Sequence, residues 1–144
     1  FVQRILQRVP LDLLQFHGSE APEDCEAAGR PYIKAVPMAE GGDVREYVGR
    51  HPAARGFLLD SHAAGAPGGT GRPFDWRSVP ADLGRPVILA GGLSPDTVAE
   101  AVRAVRPWAV DVSSGVERAP GVKDPRRIRD FMAAVSAAGA GVPA

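Results

Sequence analysis

Five groups of polar or glycine residues punctuate this 144-residue chain, each at or beside a short apolar run. They are Gln15, His17 and Gly18; Lys34; Asp60 and Ser61; Gly91 and Gly92; and Asp111, Ser113, Ser114 and Gly115. The glycine pair lets backbone amides approach a ligand with no Cβ in the way. Ser113-Ser114-Gly115 offers two hydroxyls and consecutive N–H groups at a possible short helix start, an arrangement that suits an anion. Two tight turns and a serine cap are the plain alternative. Asp60 follows Phe57-Leu58-Leu59, and a carboxyl at the rim of an apolar strand can hold a proton for general-acid work. The competing reading is an Asx-turn residue that opens a loop. Asp111, inside an apolar run, needs a partner or a ligand.

The other reactive side chains carry less. His17 has no second His or Cys at ligand spacing, so zinc is not expected and a turn histidine on a pocket wall is. Lys34 lies within an apolar run, where an ammonium needs a counter-charge or a substrate anion. Cys25 sits beside Glu23, Asp24 and Glu26, an acidic setting that disfavours the thiolate and argues against a nucleophile or base. Gly68-Gly69-Thr70-Gly71 lacks the lysine and the preceding strand of a nucleotide-binding loop.

The elements that must position these groups alternate regularly. Leu11–Phe16, Tyr32–Val36, Gly56–Leu59, Pro86–Ala90 and Trp108–Val112 are apolar nearly throughout and bounded by Gly, Pro or Asp, as strands buried on both faces of a parallel sheet are. Helical patterns separate them. Ser19–Ala28 has Pro22 in its first turn, and Gly42–Arg50 places Val44, Tyr47 and Val48 on one face. Ser94–Val105 and Asp124–Val135 each open with a cap residue followed by proline. Residues 1–9 read as a helix end before Pro10, and residues 136–144 as a flexible tail. Ser61–Arg72 breaks the rhythm as a glycine-rich loop, a kind that is often functional. The whole reads as one domain, 1–144, of five βα units around a parallel sheet, with ligands expected at the carboxyl ends of the strands. The groups named above form a row at those ends that is far more polar and glycine-rich than the opposite ends.

Composition excludes several classes. The chain is 44% hydrophobic, enough for a core, so disorder is not expected. Seventeen basic residues balance seventeen acidic ones, which gives no support for a nucleic-acid or membrane-surface partner. One cysteine allows no internal disulfide framework, and no apolar stretch approaches the roughly 18 residues of a spanning helix. A soluble, cytoplasmic protein is the expectation. The chain begins at Phe1 and not at a methionine, which leaves a fragment open as an expectation.

Taken in order, Leu14-Gln15-Phe16-His17-Gly18, Ile33-Lys34-Ala35, Leu59-Asp60, Gly68-Gly69-Thr70-Gly71 with Phe74-Asp75-Trp76, Ala90-Gly91-Gly92-Leu93, and Asp111-Val112-Ser113-Ser114-Gly115-Val116-Glu117 with Pro120-Gly121 and Lys123-Asp124 resemble the phosphoribosylanthranilate isomerases of tryptophan biosynthesis. The resemblance spans nearly the whole chain. It implies an α/β fold that is part of a (βα)8 TIM barrel, with strands corresponding to units four to eight and the first three units absent. It implies a cofactor-free and metal-free Amadori rearrangement of a phosphosugar, N-(5-phosphoribosyl)anthranilate, by an intramolecular aldose–ketose isomerase. By this likeness Asp60 is the general acid. Gly91, Gly92, Ser113, Ser114 and Gly115 hold the phosphate. Asp111 positions the substrate, Gln15 and His17 line the pocket wall, and the loop after Asp60 is a mobile cover. The family's general base, a cysteine in a Lys-Ile-Cys-Gly motif of its first strand, has no counterpart here, nor has the arginine that helps hold the anthranilate carboxylate, so the 144 residues alone are expected to be inactive. Two other readings are a related phosphosugar barrel (indole-glycerol-phosphate synthase or the histidine-pathway aminoaldose isomerase) and a non-catalytic barrel fragment that associates through open sheet edges.

Overall fold

The computed structural model describes residues 1–38, 43–61 and 74–139. Five parallel strands form one sheet in chain order: β1 Leu14–Phe16, β2 Tyr32–Pro37, β3 Gly56–Asp60, β4 Val87–Leu89 and β5 Ala109–Val110. All five lie where apolar runs bounded by Gly, Pro or Asp place them. Among the described residues the helices are α1 Val2–Leu6, α2 Pro22–Glu26, α3 Val44–Arg50, α4 Val98–Val105 and α5 Pro125–Gly139.

The period-two alternation of strand side chains divides the sheet into two unequal faces. Tyr32, Val36, Phe57, Leu59 and Leu89 join Cys25, Val44, Val98, Ala101, Val102 and Phe131 in the main core, so the helices cover one face. The residues between them, Ala35, Leu58 and Ala90, form a second, small cluster with Ile88 and no helix residue. A sheet wound in one direction, without the strand-order reversal of a doubly wound fold, leaves that face to other chemistry.

Several elements are shorter or longer than their patterns. Helix α2 starts at Pro22 and not Ser19, because Glu20 is drawn away to the Gly18 amide at 3.0 Å and to Lys34. Ser94 does not cap α4. It forms a turn in which its amide donates to Thr97 Oγ1 at 3.0 Å, and the regular helix begins at Val98. Asp124 does cap α5, accepting from the Arg126 amide at 2.8 Å. That helix runs through Gly139, so residues 136–139 of the supposed tail are its last turn, while 140–144 lie outside the described residues. The Gly68–Gly71 motif lies outside them too. An antiparallel hairpin, β6 Glu117–Ala119 with β7 Val122–Lys123, was not anticipated.

Candidate functional site

Strands β3, β4 and β5 end side by side, and the loops that follow enclose a cleft of about 660 Å³. Its wall brings together Asp60, Gly91, Gly92, Asp111, Ser113, Ser114 and Gly115 from three separate βα junctions. Asp60 ends β3 two residues beyond Leu58 and so shares the helix-free face. Among the described residues the carboxylates on the wall are Asp60, Asp111 and Glu117, and the cationic side chain is Arg118.

Backbone requirements explain the glycines. Gly91 and Gly92 both adopt left-handed φ, 77° and 66°. A β-carbon on Gly91 would overlap the amide nitrogen and hydroxyl of Ser61, which is how the loops after β3 and β4 come into contact. One on Gly115 would overlap the Leu93 carbonyl, so the loop after β5 lies directly against the loop after β4. Ser114–Val116 is a single 3-10 turn, in which the Val116 amide donates to the Ser113 carbonyl at 3.4 Å. The Ser114 and Gly115 amides donate to no group among the described residues, which leaves consecutive N–H groups for an anion.

Not every anticipated residue sits as its sequence setting suggested. Asp111 lies just past β5 and is exposed, so it is not the strand-buried carboxyl its apolar neighbours suggested; two residues of β5 are too few to enclose it. Gln15 and His17 are exposed at the end of β1, with β2 between them and the Asp60 strand, and they do not line the cleft.

Lys34 sits on the helix-covered face and is fully buried. Its Nζ donates to the Gly18 carbonyl at 2.6 Å and to Glu20 Oε2 at 3.1 Å, and lies 5.8 Å from the Tyr47 ring centre. It is therefore a structural ion pair that ties the β1 loop to β2. Burial alone would raise the Glu20 carboxyl, but its own amide, Lys34 and the Gly18 amide outweigh burial and hold it below the usual range. Burial pushes the Cys25 thiol up, aided by Glu20, Asp24 and Glu26 against Lys34, which leaves it unsuited to attack or abstract a proton. Among the described residues no three His, Cys, Asp or Glu side chains converge as metal ligands.

Sequence reasoning missed the closing side of the cleft. Lys123 donates to the Ser113 carbonyl and to Glu117 Oε1, both at 2.8 Å, and the Gly121 amide donates to Glu117 Oε2 at 3.1 Å. Pro120-Gly121 between Glu117 and Lys123 was the available signal, a turn dipeptide flanked by opposite charges.

Fold and cleft together define the class: an α/β protein with a cleft, rich in glycine and hydroxyl, at the carboxyl ends of parallel strands. Residues 1–134 match the family described as N-(5'phosphoribosyl)anthranilate (PRA) isomerase, and the chain belongs to that family. It is 55% identical over 135 residues to the N-(5'-phosphoribosyl)anthranilate isomerase of Nitrosococcus oceani, covering 94% of this chain and 66% of the relative. Identity to the Pseudomonas aeruginosa protein of the same description is 57% over 131 residues, covering 91% of this chain and 62% of the relative. The chain thus spans a little under two thirds of these curated relatives. Among solved structures, phosphoribosyl anthranilate isomerase from Thermotoga maritima superposes with a TM-score of 0.80 at 35% identity, over 94% of this chain and 67% of that one. A structure of phosphoribosyl anthranilate isomerase in complex with reduced 1-(o-carboxyphenylamino)-1-deoxyribulose 5-phosphate matches with a TM-score of 0.76 at 33% identity, over 94% of this chain and 65% of that one.

Proposed function

We propose that this chain forms the larger part of a phosphoribosylanthranilate isomerase acting in tryptophan biosynthesis. The observation that carries the reading is the cleft itself, where Asp60 shares one wall with the glycine pair and the Ser113–Gly115 turn. In this reading the substrate phosphate rests on the Ser114 and Gly115 amides and the Gly91-Gly92 loop. The Asp60 carboxyl gives its proton to the furanose ring oxygen as the ring C–O bond breaks. A base then takes the proton from C2, and the resulting enolamine becomes the ketone of 1-(2-carboxyphenylamino)-1-deoxyribulose 5-phosphate. Asp111 holds the open chain from the same wall. The relative solved with the reduced form of that ketose supports the substrate class. Acid and base chemistry suffices, with no cofactor.

The base belongs to sequence outside these 144 residues, in keeping with a sheet that is units four to eight of a (βα)8 barrel. The exposed apolar side chains support that division. Phe1, Ile5, Val9 and Leu13 lie on the β1 side and Trp108, Ile128 and Met132 on the β5 side, where a closed barrel would cover them. The same 144 residues, preceded by a segment of about 70 residues forming roughly three βα units, should turn over N-(5'-phosphoribosyl)anthranilate, while the 144 alone should show negligible turnover. An inactive completed protein would defeat the isomerase assignment. Full activity of the 144 residues would place the base within them and defeat the division.

A further inference from the structure

The peptide linking Ser113 to Ser114 is planar and trans, so its C=O and N–H point in opposite directions. Whatever fixes the Ser113 carbonyl therefore also aims the Ser114 amide. Two donors hold that carbonyl: the Val116 amide of the 3-10 turn at 3.4 Å and, by a shorter charge-assisted bond, the ammonium of Lys123 at 2.8 Å, with the Ser113 hydroxyl a further 3.4 Å contact of the ammonium. Lys123 is itself held by Glu117 at 2.8 Å across the β6–β7 hairpin, and the Gly121 amide fixes the other Glu117 oxygen. Two further contacts tie the hairpin down. Arg127 donates to the Glu117 carbonyl at 3.0 Å, and the Asp124 amide to the Val116 carbonyl at 2.8 Å. Lys123 does not line the cleft, yet every link from it leads to the turn that does.

We propose that Lys123 is a positioning residue for anion binding: by holding the Ser113 carbonyl on its own side of the peptide it turns the Ser114 amide, and with it the Gly115 amide, toward the ligand. The inference rests on the phosphate-site reading above. It adds that the hairpin, a surface feature with no side chain required in the chemistry, sets the affinity of that site. Glu117 serves as the counter-charge that keeps the ammonium over Ser113. Lys123 and Gly121 hold the Glu117 carboxyl below the usual range.

The test uses the whole protein that carries this chain, with inorganic phosphate as the probe. Phosphate affinity and the amide resonances of Ser114 and Gly115 are followed together in the native protein and in Lys123→Met and Lys123→Arg. Lys123→Met should weaken phosphate about tenfold, the size of one charge-assisted bond, and should shift both amides in the phosphate-free protein. Lys123→Arg, which can still reach the carbonyl, should restore most of both. With substrate, KM should rise and kcat should hold. Weaker phosphate binding with unmoved amides would mean that the ammonium acts through its field alone, and would overturn the proposal. Unchanged affinity with unmoved amides would overturn it as well. If native protein binds no phosphate, the phosphate-site reading fails, while the amide shifts still decide whether Lys123 orients the turn. Should Lys123→Met fail to fold, Lys123→Gln carries the same comparison.

Discussion

A β-carbon at position 115 has nowhere to go, because the Leu93 carbonyl already occupies its place. Gly115→Ala must push the β4 and β5 loops apart. It should cost about 1–3 kcal/mol by denaturant unfolding, in the range for overpacking a close contact, and should abolish phosphate binding. A stable, phosphate-binding Gly115→Ala would show that the two loops are not the joint site described here. His51 makes a different prediction. It is buried, stacked on Tyr47 at 5.8 Å between ring centres, and its Nδ1 has no hydrogen-bond partner among the described residues. Burial, then Lys34 and Arg50, depress its pKa below the ordinary 6.5. A base depressed on folding binds protons more readily when unfolded, so its stabilising effect is complete above pH 6.5 and fades as pH falls toward the folded value. His51→Phe should flatten that part of the pH–stability curve, and an unchanged slope would exclude His51 as its source.

At the scale of elements, Asp124 closes the β6–β7 hairpin and opens α5, accepting from the Arg126 and Arg127 amides at 2.8 and 3.4 Å. Asp124→Ala should lower stability by about 1 kcal/mol, the usual worth of an N-cap, and a thermal melt that does not move would remove the cap from the account. This cap was readable from Asp124-Pro125, and the five strands were readable because each is an apolar run cut off by Gly, Pro or Asp. The cleft residues at the strand ends, Asp60, Gly91, Gly92, Asp111 and Ser113–Gly115, were readable for the same reason: they follow those runs directly. What was not legible depended on contacts distant in sequence. Glu20 leaves its helix because Lys34, fourteen residues on, claims it. The hairpin is three polar or small residues against two, too short for a period-two pattern, and its Lys123–Ser113 bond closes it from the far side of the 3-10 turn. Asp111 looked buried because its neighbours are apolar, but a two-residue strand leaves it at the rim.

For the whole molecule, one face of the sheet is covered by helices and the other carries, among the described residues, the small apolar cluster of Ala35, Leu58, Ala90 and Ile88 beside Asp60, with apolar side chains exposed along both flanks. Trp108, 75% exposed, reports on this directly. If further chain closes the sheet, joining that segment should shift the Trp108 emission to shorter wavelength, and sedimentation should show the 144 residues self-associating while the completed protein does not. Unshifted emission would mean that the β5 flank stays open. The account as a whole depends on the carboxyl at the end of β3 serving a ligand anchored by the loops after β4 and β5. The most direct test is steady-state turnover of N-(5'-phosphoribosyl)anthranilate by the completed protein and its Asp60→Asn form, with inorganic phosphate affinity measured beside it. Loss of a general acid predicts a fall of about 10²–10⁴-fold in kcat with phosphate affinity unchanged, whereas near-native kcat in Asp60→Asn would contradict the account.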